Sequence, residues 1–370
     1  MQIIRTPGEG WTKFELLAEG RAISRVVVLD LKMRIGRAVV RVAGVGGVWT
    51  HPDHRLKGYA RRVMESALAY MAEEGFDISL LFGIPEFYNK FGYASVLPDC
   101  RVSVATSDAK RADPKGGFKI RSLTKADYDA VLSIYETNNY HRTGSIVRDR
   151  GRWKGFTKGT DYGAKPLSFV VESSEGVVGY AVYDDATNRL DVAEVGFKRP
   201  EAMPAILLHL AELAESRAVE VVNFYAPLDH PFVKFLRRFG CEARVVYPRD
   251  RAGMGRVVNL RGLFEKIRFE LEHRLMEARP TGFKGTLVFE TDIGKVPLRV
   301  EGRAVSIPSR ARGGLPVRMP QRRLIQLVMG FLGLDEIMLD PECEVPWEAM
   351  PVLRALFPEG FPHTWRPDWF

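Results

Sequence analysis

A short glycine-containing loop in the first part of the chain has residues suited to binding an anion. It reads Arg55-Leu56-Lys57-Gly58-Tyr59-Ala60 and precedes a segment with helical periodicity. The first N–H groups of a helix have no partner within the helix, and they carry the positive end of its dipole. The loop therefore predicts a cradle for a pyrophosphate group, with a capped surface turn as the alternative interpretation.

Other kinds of site chemistry find less support in the sequence. Cys100, Cys241 and Cys343 are too few and too far apart for a disulfide framework or a Cys-x-x-Cys zinc site. His51 and His54 could ligate a metal, but no further pair of ligands has a matching spacing, so we expect no metal. A serine hydrolase would need a Gly-x-Ser-x-Gly elbow, which is absent from the sequence.

The elements that must position the loop follow the order strand, loop, helix, strand. β-branched residues predict a hairpin and then a Gly-rich strand that ends at His51-Pro52, where proline stops ladder pairing. Apolar residues next recur at helical spacing as far as Gly75. The predicted bounds are Arg25–Lys32, Ala38–Val42 and Gly44–Thr50 for the first strands, Gly58–Glu74 for the helix and Asp77–Phe82 for the last strand. This order predicts a βαβ crossover with parallel pairing.

The same plan recurs after a polar linker at residues 113–117. Residues 231–240 repeat the Pro, Phe and terminal Phe-Gly pattern of residues 85–92, which indicates an internal duplication. The second copy has Pro200 at the turn after its strand and no Arg-x-x-Gly-x-Ala, so we expect it to be scaffold. Its predicted strands are Phe118–Arg121, Leu167–Val171, Val177–Tyr183, Leu190–Phe197 and Val219–Phe224, and its helices are Asp127–Glu136 and Ala202–Ser216.

A third segment follows a helix predicted over Arg261–Glu277 and opens at Pro280-Thr281-Gly282. Alternating strands and two helical stretches predict a small α+β domain there. The predicted strands are Gly285–Glu290, Val296–Glu301 and Arg303–Ile307, and the helices are Gln321–Phe331 and Pro346–Phe357. The stripe of Leu324, Leu327, Val328 and Phe331 fits either a lipid pocket or an ordinary core. The predicted domains are therefore residues 1–114, 115–279 and 280–370.

Composition limits the classes of protein that fit this chain. Its 370 residues suffice for two or three domains, and 46% apolar with 27% charged residues is ordinary globular composition. A net charge of +8 would suit nucleic acid, a membrane surface or a phosphorylated cofactor. The densest basic cluster, in residues 310–323, lacks interleaved aromatics, so we expect no nucleic-acid partner. No membrane span or signal peptide is predicted, so the expected compartment is the cytoplasm.

The loop, together with Tyr88 and the Gly92-Tyr93 pair further on, resembles the GCN5-related N-acetyltransferases (GNAT). That family has an acetyl-CoA loop of the form Arg/Gln-x-x-Gly-x-Gly/Ala and a later tyrosine before a Gly-aromatic pair. Two such units followed by a small α+β domain are similar to the Eis (enhanced intracellular survival) acetyltransferases. The resemblance implies an α/β fold of tandem GNAT-like domains with mixed central sheets and a sterol-carrier-like (SCP2-like) α+β domain at the C-terminal end.

The resemblance also implies roles for individual residues. Acetyl-CoA would be held by a strand, a pyrophosphate loop and the end of the next strand, which fall on Val48, Trp49, Thr50, Arg55, Leu56, Lys57, Gly58, Tyr59, Ala60, Arg61, Gly83 and Ile84. Tyr88 matches the tyrosine that acts as general acid toward the departing thiolate, and its alternative is a core aromatic beside Phe87 and Phe91. The aromatic end Trp369-Phe370 is unusual for a mobile tail, which predicts that it is buried. Phe370 matches the family's last residue, whose α-carboxylate accepts the amine proton, and a hydrophobic staple to the last domain is the alternative.

One departure from the family concerns the acceptor site. The family has a pair of helices before its central strands as one wall of that site, whereas the corresponding residues here predict strands. An aminoglycoside acceptor is therefore not carried over. The leading hypothesis is an acetyl-CoA-dependent N-acetyltransferase that acts on a primary amine of a small molecule or peptide, as a homo-oligomer, with a hexamer expected. The alternative is a noncatalytic acyl-CoA- or lipid-binding protein that retains the fold.

Overall fold

The computed structural model describes residues 1–84, 86–249, 253–279, 282–310 and 313–370. Pro85, Pro280, Thr281 and the pair at 311–312, which figure in the motifs above, lie outside the described residues. The strands, numbered in chain order, are β1 (Gln2–Gly8), β2 (Trp11–Ala18), β3 (Arg21–Ile35), β4 (Ala38–Thr50), β5 (Ile78–Phe82), β6 (Ala94–Ser95), β7 (Asp99–Ala105), β8 (Lys119–Ser122), β9 (Pro166–Ser173), β10 (Gly176–Asp184), β11 (Leu190–Phe197), β12 (Val221–Phe224), β13 (Glu242–Val246), β14 (Gly253–Val257), β15 (Lys284–Thr291), β16 (Gly294–Glu301), β17 (Ala304–Ser306) and β18 (Leu315–Arg318).

The helices fall between these strands and after them. They are α1 (Tyr59–Glu73), α2 (Thr106–Ala109), α3 (Tyr128–Asn139), α4 (Ala202–Ser216), α5 (Pro231–Leu236), α6 (Leu260–Glu277), α7 (Gln321–Met329), α8 (Leu334–Ile337) and α9 (Met350–Leu356). Long amphipathic segments such as α1, α4 and α6 agree with the predicted bounds to within a few residues, because their apolar stripes are regular. Within the described residues, no helix is long and apolar enough to cross a membrane.

The first sheet has the strand order β1-β2-β3-β4-β5-β14-β6. The predicted hairpin is confirmed, since β3 and β4 pair antiparallel, and the predicted crossover is confirmed, since β4 and β5 pair parallel on either side of α1. The prediction of Gly44–Thr50 as a separate strand is wrong, because these residues continue β4 without a break. Helix α1 buries Val63, Met64, Ala67 and Met71 against the sheet.

The second sheet has the order β13-β7-β12-β11-β10-β9-β8 and contains the predicted second crossover. Here β11 and β12 pair parallel on either side of α4. Eight residues of α4 are buried, so this helix is embedded more deeply than α1. The third sheet, β17-β16-β15-β18, packs against α6 and against Phe357, which directly follows α9, and completes a mixed α/β fold, as predicted.

By contacts, the described chain divides into two compact units. The first comprises Met1–Leu97, Pro248–Pro362 and Phe370, and the second comprises Pro98–Tyr247 and His363–Trp369. Two strands fall in unexpected sheets: β7, from the segment predicted as N-terminal domain, pairs in the second sheet, and β14, from the segment predicted as the second domain, pairs with β5 in the first. Sequence patterns report periodicity rather than partners, so they carry no signal of this exchange. The three-domain division stays a prediction.

Candidate active site

The first crossover opens a gap between its two parallel strands. Pairing of β4 with β5 ends at Val45 and Leu81, although β4 continues to Thr50. A bulge in β4 lies just after this point, because Val27 pairs with Gly46 while Arg25 pairs with Trp49. An extra residue in one strand bends it and increases its twist. The bulge therefore turns the end of β4 away from β5.

Gly47 allows this bend. Its φ of +59° lies in the left-handed region, where a side chain would be strained. Beyond the bulge, the N–H of His51 donates to the carbonyl of Ile23 in β3 at 2.9 Å. Because successive residues of a strand present their backbone groups to opposite edges, those of Thr50 face the gap.

The predicted pyrophosphate loop connects this strand end to α1. Gly58 is the residue before the helix, has φ +77°, and has open space where a Cβ would be. No side chain caps the first turn of α1 and no acidic residue lies in it. Two basic side chains of the loop bind the backbone before it. Arg55 Nε donates to the Thr50 carbonyl at 3.3 Å, and Lys57 Nζ donates to the Asp53 carbonyl at 2.9 Å. The uncapped helix end fits the predicted phosphate group.

A cleft of about 590 Å³ lies along the strand end, the loop and the start of α1. Its volume is in the range of small-molecule sites. The lining contains Val48, Trp49, Thr50, His54, Arg55, Leu56, Gly58, Tyr59, Ala60, Arg61, Ile84, Phe87, Tyr88, Lys90 and Phe91. The structure thus brings the predicted cofactor residues together, except that Lys57 and Gly83 do not line the cleft. The lining also contains four residues that were not predicted, His54, Phe87, Lys90 and Phe91, although each lies next to one of the two predicted motifs.

Tyr88 begins a short 3₁₀ helix, Tyr88–Phe91, that ends at left-handed Gly92. Its side chain is mostly buried, and its ring packs edge-on against Phe87 with centroids 4.9 Å apart. Gly83 makes room for that ring, because a Cβ there would lie 2.7 Å from Tyr88 Cδ2. The structure therefore shows Tyr88 both at the cleft and within an aromatic cluster, so its predicted catalytic role stays a prediction.

Phe370 lies in the first unit, next to the diverging strands. Its ring meets that of Phe82 with centroids 5.4 Å apart. A Cβ on Gly44 would lie 2.9 Å from the Phe370 ring, and a Cβ on Gly46 would lie 3.5 Å from the Phe370 carbonyl carbon. These contacts are with residues of the first sheet and of the strand end after β5, and both the catalytic role of Phe370 and the staple alternative stay predictions.

The second crossover differs at the corresponding strand end, although a cleft of about 800 Å³ lies beside its turn and is lined by Pro200, Glu201 and Met203 among others. Only residues 198–201 separate β11 from α4, and Glu201 precedes the helix in a right-handed conformation. The Asn138 side chain pairs with both backbone groups of Phe197, donating to its carbonyl at 2.9 Å and accepting from its N–H at 3.0 Å. These backbone groups correspond to those that Thr50 presents to the cleft.

The described residues contain no group of three His, Cys, Asp or Glu side chains that could hold a metal ion. In the His51-Pro52-Asp53-His54 segment, the Asp53 N–H donates to His51 Nδ1 at 3.3 Å, which closes a local turn. The His54 ring lies 6.0 Å from that of Tyr59 and lines the cleft. The segment therefore lies beside the pyrophosphate loop.

Comparison with known proteins gives a family match within the first unit and fold matches over nearly the whole chain. Residues 11–96 match the family model described as an acetyltransferase (GNAT) domain. The chain is similar to a solved structure from Enterococcus faecalis V583 described as a probable N-acyltransferase, with 17% identity, a TM-score of 0.77, and 98% of this chain and 90% of that chain covered. It is similar to a GCN5-related N-acetyltransferase from Kribbella flavida, with 18% identity, a TM-score of 0.73, and 97% and 88% covered. It is also similar to Eis1 from Mycobacterium abscessus, with 18% identity, a TM-score of 0.64, and 97% and 90% covered. No curated protein matches the chain.

These matches confirm the predicted acetyltransferase domain and the predicted fold class. The matched residues 11–96 include β4, α1, β5 and Tyr88. At these identities the solved structures show the shared fold. The Eis-type assignment and the sterol-carrier-like domain stay predictions.

Proposed function

We propose that this chain, whose residues 11–96 match an acetyltransferase domain, is an acetyl-CoA-dependent N-acetyltransferase that transfers acetyl to a primary amine by direct attack. The observation that carries the proposal is the cleft where β4 leaves β5, which joins an open strand edge, an uncapped helix N-terminus and Tyr88 in one cavity. The second crossover has the same topology, but a turn of four residues without a left-handed glycine leads into its helix.

The residues of the cleft fit acetyl-CoA in two respects. Open space beside Gly58 and the unpaired N–H groups of α1 suit a pyrophosphate, and Arg55 and Arg61 add positive charge at the lining. The Thr50 backbone edge suits the amide groups of the pantetheine arm. When bound, acetyl-CoA supplies an acetyl thioester, the electrophile of the reaction.

Tyr88 and Phe370 have complementary proton roles in the proposed mechanism. The amine nitrogen forms a C–N bond with the acetyl carbon while the C–S bond breaks, and the Tyr88 hydroxyl donates its proton to the leaving thiolate. The α-carboxylate of Phe370, beside Gly46, accepts a proton from the amine through water. Both groups lie near the end of β4 and β5, where the gap begins.

A titration with acetyl-CoA, coupled to detection of free thiol over a panel of amines, tests the proposal. We expect thiol release that depends on one class of amine acceptor. The second candidate function is a noncatalytic acyl-CoA- or lipid-binding protein, and strands alone before β4 favour it, because a helical acceptor wall is absent from residues 1–50. Such a protein would bind acetyl-CoA and release no acceptor-dependent thiol.

The remaining parts of the proposal rest on the resemblance for the acceptor and the oligomer, and on the composition of the sequence for the other partners and the compartment. The acceptor is a small-molecule or peptide amine, neither nucleic acid nor membrane is a partner, and the protein works in the cytoplasm as a homo-oligomer, with a hexamer expected. A sterol-carrier-like role of residues 280–370 has less support, because Leu324, Leu327, Val328 and Phe331 are all buried in the described structure and act as core.

A further inference from the structure

Residues 88–93, the Tyr88 turn, carry the proposed general acid. The Gly92 N–H donates to the Asn89 carbonyl at 3.0 Å. The Tyr93 N–H donates to the Tyr88 carbonyl at 3.4 Å, which closes the turn on itself. The 3₁₀ helix within it has four residues, too few to keep one conformation without contacts from outside. The direction of the Tyr88 side chain therefore depends on the residues that hold the turn.

Tyr93 connects the turn to both strands of the first crossover. Its hydroxyl lies 2.7 Å from Ser79 Oγ in β5, and Ser79 Oγ donates to the Ala43 carbonyl in β4 at 2.7 Å. Serine has a single O–H, so the Tyr93 hydroxyl is the donor to Ser79. Burial raises the pKa of Tyr93 to about 12, so this hydroxyl keeps its proton. Ala43 and Ser79 are register partners, and pairing ends two residues beyond them, at the gap.

Arg256 of β14 is the second contact that holds the turn. Its Nη1 donates to the Phe91 carbonyl at 2.6 Å. The last carbonyls of a helix have no partner within it, and a charged donor makes a strong bond to such a group. The guanidinium carbon lies 5.8 Å from the centre of the Tyr93 ring, so the two contacts are neighbours. Met254, two residues earlier in β14, belongs to the same apolar cluster as Tyr88.

Tyr93 and Arg256 do not occur among the described residues that line the cleft. They can therefore act on the reaction only through the turn. We propose that Tyr93 and Arg256 are positioning residues that direct the Tyr88 hydroxyl toward the leaving thiolate. This inference rests on the proposed function of Tyr88. It assigns a role in the reaction to β14, which joins the first sheet beside β5 from a distant part of the sequence.

Tyr93→Phe tests the proposal, because it keeps the ring and removes the hydroxyl that donates to Ser79. We expect kcat to fall about tenfold, with the KM of the amine and the affinity for acetyl-CoA unchanged, since a small displacement of a catalytic group slows the chemical step. Tyr70→Phe is the matched control. It removes a hydroxyl that lies 3.0 Å from Thr12 Oγ1, outside the cleft lining, so kcat should stay near wild type. In a Tyr88→Phe background, Tyr93→Phe should cause no further loss.

Arg256→Gln tests the second contact and serves if the tyrosine variant fails to fold. It removes the charged donor to the Phe91 carbonyl, so kcat should fall to a similar extent, and Arg256→Lys, which keeps the charge, should recover part of the loss. Arg261→Gln is the matched control. Arg261 also donates to backbone carbonyls, those of Ile307 and Pro308 at 2.9 and 3.0 Å, and its loss should leave kcat near wild type.

Amide hydrogen exchange gives a readout that does not depend on turnover. Exchange over residues 88–93 should become faster in Tyr93→Phe and in Arg256→Gln, because each variant releases the turn from one of its contacts. Exchange over α1 should not change in either variant. The control variants at Tyr70 and Arg261 should leave the exchange of residues 88–93 at the wild-type rate.

Three results would overturn the positioning role: wild-type kcat in both Tyr93→Phe and Arg256→Gln, unchanged exchange over residues 88–93, or losses that multiply in the Tyr88→Phe background. Wild-type turnover in Tyr88→Phe would instead remove the general acid from the proposed mechanism and the positioning role with it. Absence of acceptor-dependent thiol release in the wild type would overturn the proposed function, while the exchange rates would still report whether Tyr93 and Arg256 hold the turn.

Discussion

The two βαβ crossovers of the molecule share a topology but differ at the end of their first strand. In both, parallel pairing stops while the first strand continues, to Thr50 in β4 and to Phe197 in β11. After β4, residues 51–58 form a loop with two left-handed residues, Leu56 and Gly58. After β11, a turn of residues 198–201 leads directly into α4.

Side chains fill the second gap. The Phe197 ring packs near those of Phe232 and His230, with centroids 6.4 and 5.9 Å away, and the His230 ring lies 5.4 Å from that of Trp365. Asn138 occupies the backbone edge. The shared topology thus leaves the backbone edge of the strand end open at the first crossover, whereas side chains cover it at the second.

The difference between the two crossovers predicts that a conservative change has its largest effect on turnover at the first one. Tyr88→Phe keeps the ring in its cluster and removes the hydroxyl, so turnover should fall by about 10²-fold or more, with acetyl-CoA binding nearly intact. Steady-state kinetics and calorimetry measure the two quantities. Tyr70→Phe is the control, since that hydroxyl lies 3.0 Å from Thr12 and outside the cleft lining. Wild-type turnover in Tyr88→Phe would make Tyr88 a core aromatic only.

Gly58→Asp tests whether the first helix end binds the pyrophosphate. The carboxylate would face the phosphate charge, so affinity for acetyl-CoA should fall about tenfold or more by calorimetry. Gly75→Asp is a matched control at the other end of α1, because Gly75 also has a left-handed φ, +70°, and open space around it. Unchanged affinity in Gly58→Asp, or a second acetyl-CoA bound per chain, would contradict the assignment of the site to the first crossover alone.

Asn138→Ala tests whether the second gap is structural. The substitution leaves the N–H and carbonyl of Phe197 without their partner, so the free energy of unfolding should fall by about 1–3 kcal/mol in urea titrations. Thr137→Ala, which removes a hydroxyl bonded only along α3, should cost less. Acetyl-CoA stoichiometry should not change. A new binding site in Asn138→Ala would show that the second crossover is a masked site rather than scaffold.

His230 predicts a pH dependence confined to the second unit. Burial lowers its pKa to about 3, whereas the unfolded state has the ordinary value near 6.5. Between these values the unfolded state binds the extra proton, so this contribution to stability is complete above pH 6.5 and declines as the pH falls, by at most about 1.4 kcal/mol per pH unit. His230→Phe should flatten the decline between pH 7 and 5, and His51→Phe, at an exposed loop, should not. An equal slope in wild type and His230→Phe would rule the contribution out.

The parts of this structure that could be predicted from the sequence are those with regular periodicity or a local motif. The apolar stripe in α1 and the β-branched residues in β3 were visible as patterns, and the Arg55 to Ala60 motif identified the loop. The role of Asn138 could not be predicted, because an asparagine in an amphipathic helix has no signal of a distant backbone partner. The hydrogen bond from Arg148 Nε to Asp368 could not be predicted either, because the two residues are 220 apart in the sequence and neither belongs to a motif.

The exchange of β7 and β14 between the two sheets has a consequence for synthesis on the ribosome. Strand β5 is buried along nearly its whole length, and its second neighbour, β14, is translated only after the entire second sheet. Until then β5 has an open apolar edge, the kind that pairs with other chains and aggregates. The first sheet of the nascent chain therefore stays incomplete until residues 253–257 have been synthesised. A fragment cut at residue 114 would retain that open edge permanently and carry β7 without a sheet to join.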